Sequence, residues 1–313
     1  MKKYLPVLLI TILALTLTGI KLYPTIAGAL NKEETQKKQQ LSNDSDEIAQ
    51  ETKHKNPLLD DDFPFKLEEQ EKYAQENPDK FAIVEKMYYA WDYIDNAEGL
   101  YEYGNNGQVE NRVTFHVDFE QKQNKALYET LENGSVVETE HFLLHDGQMT
   151  GRLDEQQIYY QEPVKNNPRQ DDISALTDAL GKDAGLIIGS EEWMVLFDNY
   201  DSWEYEETTA FGIPAFKIKG TLTKDTSEML AGPFEMTVAK ETGVLLDLQC
   251  YGEEDKEKPV YFIKVADISI NDGIENAEEV FQLDVSDSEE LPFEEYGKET
   301  YGAKAGGEKT GWD

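Results

Sequence analysis

Two spacings of apolar residues divide the chain. After Asn77-Pro78, the residues Phe81, Val84, Tyr88, Trp91 and Ile94 recur every three or four positions, the repeat of an amphipathic helix. Asn77 is a capping residue and Pro78 suits the first helical position. A shorter helix is predicted before it, over Pro64 to Gln75. Beyond Asn96 the interval falls to two. Val113, Phe115, Val117 and Phe119 alternate with Arg112, Thr114, His116 and Asp118, so the strand has one apolar and one wet face. Turn signals at Asn105-Asn106-Gly107, Gln123-Asn124, Glu132-Asn133-Gly134 and Asp146-Gly147 separate further stretches of this kind, Ala126 to Leu131, Val136 to Leu144 and Gln157 to Gln161. The pattern predicts an antiparallel meander of about five strands.

A helical insertion follows, with one helix over Asp171 to Leu180 and a second opening at Ser190-Glu191-Glu192 and carrying Trp193, Met194, Leu196 and Phe197. Strands resume over Ser202 to Thr209 and, past the turn Gly212-Ile213-Pro214, over Ala215 to Thr221. A short helical stretch at Thr226 to Leu230 precedes the last meander: Pro233 to Val238, Val244 to Tyr251, Pro259 to Ile270 and Val280 to Val285. No two strands enclose the helix that a parallel βαβ crossover requires. The expected fold class is therefore α+β, a curved, mostly antiparallel sheet with helices on one side.

The ends break both periods. Met1-Lys2-Lys3 is a positive start, Tyr4 to Ile20 is apolar apart from threonines, and Ala27-Gly28-Ala29 offers a small-residue cleavage site, so residues 1–29 read as a signal peptide or an N-terminal membrane anchor. The stretch through Ile26 approaches the roughly 20 residues that span a bilayer, and cleavage after Ala29 and retention both stand. Either way the positive end stays inside and the rest is exported. Residues 30–62 are a polar tether with too little apolar surface to offset ordering entropy. Residues 63–285 form the folded domain, and 286–313 are expected to be a disordered acidic tail.

The full chain of 313 residues has a formal net charge of -35, with 64 acids against 29 Lys and Arg. Such a field repels nucleic acid and anionic lipid surfaces. Arg112, Arg152 and Arg169 are the only arginines, so bidentate phosphate sites are scarce. The single cysteine, Cys250, excludes an internal disulfide and sits in an apolar-periodic stretch that suits a buried thiol. Export without disulfides fits a Gram-positive-like bacterial background. No cysteine follows the hydrophobic segment to carry an acyl anchor.

Candidate chemistry is sparse. His141 and His145 lie four apart without a cysteine, and His145 precedes the Asp146-Gly147 turn, which argues against a metal role. The run Asp267 to Gly273 resembles the start of a calcium loop, but its glycine is one place late and no helices flank it; it reads as a strand and a turn. The acidic runs Asp60-Asp61-Asp62 and Glu253-Glu254-Asp255 could bind surface calcium weakly, and solvated faces are the commoner reading of such runs. No nucleophile elbow, phosphate loop or dinucleotide fingerprint is present. The sequence points away from an enzyme, a cofactor or a bound metal.

The aromatic helix ending in Trp91-Asp92-Tyr93-Ile94, the hairpin Lys240-Glu241-Thr242-Gly243-Val244-Leu245-Leu246, and the segments Ala266 to Asn271 and Val280 to Leu283 resemble, over roughly residues 79–285, the LolA-like group of exported proteins. That group includes the periplasmic carrier LolA, mycobacterial lipid-transfer lipoproteins and RseB. The resemblance implies an incomplete β-barrel whose concave face is covered by helices and holds acyl chains. It makes Tyr88, Trp91, Phe115, Val117, Phe142, Phe216, Ile218, Leu246, Leu248 and Phe262 candidates to line an apolar cavity; a filled core is the plainer account of each. The implied partner is a lipid or lipoprotein acyl chain, or a membrane-associated protein as for RseB, with membrane contact only through residues 4–29. The chain lacks the early Pro and Arg pattern with which LolA hands over cargo.

Overall fold

Pro78 opens helix α1 (Pro78–Tyr88), where its missing N–H is one that the first turn leaves unpaired in any case. Asn77 contributes its carbonyl, which accepts from the Phe81 N–H at 2.9 Å, and not its side chain. The helix is shorter than the repeat to Ile94 predicts. It gives way to a 3-10 turn over Ala90–Tyr93, and Ile94 is extended. Four aromatics crowd Tyr88 to Tyr93, and such side chains lose rotamer freedom against the preceding turn of a helix. The buried stripe is Ile83, Val84 and Met87. These observations come from a computed structural model that describes residue 72 and residues 74–163, 184–190, 192–197, 200–224, 230–252 and 257–299, all within the unit Lys53–Asp313. Of the predicted short helix, residues 72, 74 and 75 are described, and they are helical. The predicted segments at 1–62, Asp171 to Leu180 and residues 226–229 lie outside the described residues.

Six strands precede the insertion where five were expected: β1 (Asn96–Asn105), β2 (Gln108–Asp118), β3 (Gln123–Glu132), β4 (Ser135–His145), β5 (Gln148–Leu153) and β6 (Ile158–Pro163). Strand β5 is hidden in the sequence because Gly151 and Arg152 dilute its alternation. Helix α2 (Trp193–Phe197) follows, then β7 (Trp203–Ala210), β8 (Ile213–Leu222), β9 (Gly232–Ala239), β10 (Leu245–Tyr251) and β11 (Pro259–Ile270). After helix α3 (Ala277–Val280) come β12 (Glu289–Glu290) and helix α4 (Phe293–Gly297). Among the described residues twelve strands form one open sheet in the order β12-β6-β5-β4-β3-β2-β1-β11-β10-β9-β8-β7. Every neighbouring pair is antiparallel except β12 with β6. The sheet is not closed, and an incomplete barrel in the α+β class describes it.

Curvature has a residue-level cause. Read across the sheet, one row of paired positions runs Ile268, Gly99, Phe115, Ala126, Phe142, Gly151, Tyr160. Large and very small side chains alternate, so each ring lies over a neighbour that has little or no side chain. A Cβ on Gly151 would stand 2.3 Å from the Tyr160 ring, and one on Gly99 would meet the Asp267 carbonyl oxygen at 2.5 Å and Phe115 at 3.1 Å. Trp203, Gly220 and Phe234 repeat the pattern on the other half. Register shifts at Leu100/Tyr101, Tyr103/Gly104 and Thr130/Leu131 add the local bends that bulges impose.

The helices cover the face that carries this row. Ile83, Val84 and Met87 of α1 and Trp193, Leu196 and Phe197 of α2 share one core with Phe115, Val117, Ile218, Leu248 and Ile263. Lys80 ties α1 to the chain after α2: its ammonium donates to the carbonyls of Tyr200 and Trp203 and stands 4.6 Å above the Trp203 ring. The Trp203 indole N–H in turn donates to the Leu196 carbonyl at 2.9 Å.

The C-terminal expectations need correction. Phe281, Leu283 and Val285 alternate as a strand would, yet no ladder forms there: α3 ends at Val280, and 281–288 runs without strand pairing. Alternation makes a strand only where an edge is available to pair with. The chain first meets such an edge at β6, where the Glu289 N–H donates to the Gln157 carbonyl and the Leu291 N–H to the Tyr159 carbonyl, both at 2.8 Å. Residues 286–297 are therefore folded and not a disordered tail; residues 300–313 lie outside the described residues. Arg152, on the outer face, donates to the Asp284 carbonyl and pairs with Asp287 at 3.3 Å. On the inner face Tyr296 packs 4.6 Å from the Tyr160 ring, and its hydroxyl donates to Glu140 at 3.0 Å. The segment is a strap that pairs with the start of β6, at Ile158 and Tyr159, and shortens one of the two edges an open sheet leaves exposed. Arg152→Ala is expected to loosen this strap by about 1–2 kcal/mol. Amide exchange at Glu289 and Leu291 should then accelerate by roughly tenfold, while global unfolding in urea changes little.

Candidate functional site

The ten candidate lining residues fall into three groups. Phe115, Val117, Ile218, Leu246 and Leu248 are each at most 1% exposed and belong to the central core. A side chain with no accessible surface borders no space that a water molecule could enter. Tyr88, Trp91, Phe142 and Phe216 are half-buried and pack against that core. Tyr88 meets Trp193 edge-on at 5.2 Å, and Trp91 meets Phe119 at 5.3 Å. The Trp91 indole also fills the space above Gly189, where a Cβ would fall 1.8 Å from its Nε1. Phe262 must be moved to the opposite face. It pairs with Gln249 and Gly104, whereas its neighbour Ile263 pairs with Leu248 and Tyr103, and a step of one residue along a strand reverses the face.

Beside Phe216 the inner face opens to solvent. A cleft of about 180 Å³ lies between α1 and the β8–β9 end of the sheet, bordered by Asp79, Ile83, Lys86, Phe216, Val238 and Lys240. Its rim is ionic: the Lys240 ammonium bonds Glu207 of β7 at 2.6 Å and stands 5.4 Å over the Phe216 ring. That hydrogen bond to Glu207 raises the Lys240 pKa. Tyr205 of β7 meets Phe216 edge-on at 5.3 Å. A second recess, of about 300 Å³ and wide open, lies near Lys219, Gly220 and Tyr251.

Charge on the outer face is ordered. One row reads Lys217, Thr237, Asp247, Lys264, Glu102, Arg112, Glu129; apart from Thr237 its signs alternate, with Arg112 bonding Glu102 at 3.0 Å and Glu129 at 3.3 Å. Cross-strand pairs of this kind each add a fraction of a kcal/mol to about 1 kcal/mol. At the β8 end, Lys217 and Lys219 direct their ammonium groups inward to Glu235, at 3.1 and 3.2 Å. These two contacts outweigh burial and hold the Glu235 pKa down. The row then ends on β7, where Glu206 stands opposite Lys217 and Glu204 opposite Lys219. Among the described residues β7 pairs with β8 alone.

The β7–β8 turn is the residue-level surprise. Three two-residue hairpin turns place Asn106, Asn133 and Asp146 before a glycine, at φ 52, 53 and 50; the β7–β8 turn places Phe211 there, at φ 54. Asn and Asp tolerate this left-handed conformation, while for other non-glycine residues it costs roughly 1–2 kcal/mol. Phe211 is nevertheless 47% exposed. Its signal in the sequence is the contrast of Phe211-Gly212 with the Asn-Gly and Asp-Gly pairs of the other three turns.

The remaining titratable candidates have structural partners. His141 meets Asp154 at 3.1 Å and His145 meets Gln123 at 2.9 Å. Four residues along a strand span roughly 13 Å, too far for one ion. Among the described residues no group of three or more His, Cys, Asp or Glu side chains could hold a metal. Burial, with the Glu192 charge adding, pushes the Cys250 thiol up to about 12. The thiolate is the reactive form, so at neutral pH Cys250 is expected to resist a maleimide in the folded protein and to react at once in denaturant, as read by mass.

No protein-family model matches the sequence, and no curated protein matches it. In structure the chain is similar to an uncharacterised conserved protein from Thermus thermophilus, with a TM-score of 0.35 at 11% identity over 70% of this chain and 98% of that one. It is similar to a chain of the MucA/MucB complex of Pseudomonas aeruginosa, with a TM-score of 0.35 at 12% identity over 66% of this chain and 61% of that one. It is also similar to the LolA superfamily protein NE2245 from Nitrosomonas europaea, with a TM-score of 0.24 at 6% identity over 65% of this chain and 97% of that one. The fold described above stands on strand order and register.

Proposed function

We propose that this chain is an extracytoplasmic, non-catalytic binding protein whose partner is another protein. The observation that carries this reading is the burial of half of the inner-face candidates. Five of the ten residues expected to line an apolar cavity have at most 1% of their surface accessible. The cleft beside Phe216 measures about 180 Å³, below the roughly 300–1,000 Å³ of sites that enclose a small molecule, and the wide-open recess near Lys219 and Tyr251, about 300 Å³, stands only at the lower end of that range. The expected apolar ligand therefore yields to a protein partner as the better reading. The basic, apolar N-terminal segment supports export, and the polar tether after it would let the domain reach a partner near the membrane.

Native mass spectrometry of the full chain, isolated from membranes in mild detergent, tests the proposal. The polypeptide mass is expected without stoichiometric lipid, together with a species that contains one further polypeptide. Acyl lipid retained at one molecule per chain would overturn the reading in favour of a carrier.

A further inference from the structure

The structure assigns the partner-binding element: we infer that β7 is the docking edge, and that its occupant is an extended segment of the partner protein with cationic side chains at alternate positions. The inference rests on the protein-partner reading and adds the chemistry of the contact. Three observations converge on it.

The first is the asymmetry of the two sheet edges. The chain covers the start of β6, at Ile158 and Tyr159, with its own strap, held by Arg152, Tyr296 and the β12 hydrogen bonds. Among the described residues nothing pairs with the outer side of β7. An edge strand presents N–H and C=O groups ready to accept a further strand.

The second is the charge row. On the outer face, acid and base alternate from strand to strand, and at β7 the sequence of signs stops on acids, Glu204 and Glu206, two residues apart and on one face. The two lysines across from them are held by Glu235 on the far side. The next strand in the series would therefore carry Lys or Arg two residues apart. Its intervening side chains would fall on the inner side, over Tyr205 and toward the Phe216 cleft. The third is Phe211 at the end of the same strand, an exposed aromatic in a backbone conformation that suits Asn. A residue strained by its position and unburied in the isolated chain fits a contact made only in the complex.

The experiment uses the full chain in mild detergent and a fluorescein-labelled ten-residue peptide alternating Lys and Val, with a peptide of the same composition in two blocks as control. The alternating peptide is expected to bind, to weaken with salt, and to protect β7 amides from hydrogen exchange. Glu204→Gln with Glu206→Gln should reduce affinity about fivefold; both changes are on an exposed edge and keep each side chain's size. Phe211→Asn should raise the thermal midpoint while weakening binding, a pairing that a merely structural Phe would not give. Equal binding of the blocked peptide, an unchanged affinity in the double Gln variant, or binding without β7 protection would each overturn the inference. In those cases a partner polypeptide still seen by native mass spectrometry would leave the broader protein-partner reading standing, whereas stoichiometric lipid there would remove both.

Discussion

Phe115→Ala is expected to cost about 3–5 kcal/mol of folding free energy. Phe115 has no accessible surface, and its ring fills the space over Gly99 and Ala126 in the row that curves the sheet. Removing it leaves a void that neighbouring strands cannot close, because the hydrogen-bonded ladders on both sides fix their spacing. For a domain of this size the Tm should fall by roughly 10 °C, with the midpoint in urea shifted and its slope unchanged. The same measurement separates the two accounts of the inner face. A side chain lining a ligand cavity already borders empty space, so its truncation would cost far less, about 1 kcal/mol. A loss that small would reopen the carrier reading.

Gly243→Ala should be nearly as damaging, for a different reason. Gly243 closes the β9–β10 hairpin at φ 74, donating its N–H to the Ala239 carbonyl at 2.9 Å. A side chain in that conformation costs roughly 1–2 kcal/mol. The new Cβ would also stand 2.1 Å from the Lys86 carbonyl oxygen and 2.6 Å from the Met87 nitrogen. Those are backbone atoms in the last turn of α1, so relief requires the helix or the hairpin to move, adding about 1–3 kcal/mol. A total near 3 kcal/mol and a Tm lower by roughly 10 °C are expected. Because the clash falls on the backbone of α1's last turn, amides of residues 79–88 should exchange faster in this variant. A Tm within a degree or two of the parent would show that the hairpin and helix are not held against each other as described.

Where side-chain period alone decides, the sequence was a sufficient guide. The alternation of Val113, Phe115 and Val117 put these residues on the inner face, where they are buried, because the pleat offers two directions and only one is dry. Cys250 was legible in the same way. The errors occur where period is silent or shared. Phe262 and Ile263 are both apolar, so hydrophobicity could not say which faced inward; the bulge at Cys250/Tyr251 and the pairing of Ile263 with Leu248 settled it. The run Phe281, Leu283, Val285 has a strand's alternation without an edge beside it, and the acidic run after it hid two residues that pair with β6.

The binding edge was less legible still. Glu204 and Glu206 are two acids among 64, and nothing local marks them. Their meaning comes from Lys217, Lys219 and Glu235, brought alongside by a strand order that the chain reaches only after the whole sheet is assembled. The sequence by itself determined the α+β class, the antiparallel pairing, the inner and outer faces of most strands, and the acidic surface, since each depends on residue type and on spacings of two to four. Tertiary structure decided that Phe115, Val117, Ile218, Leu246 and Leu248 are buried in one core, that the C-terminal strap pairs with the start of β6, and that β7 closes a row of alternating charge on two acids. Those properties belong to residues far apart along the chain, and only the register between strands places them side by side.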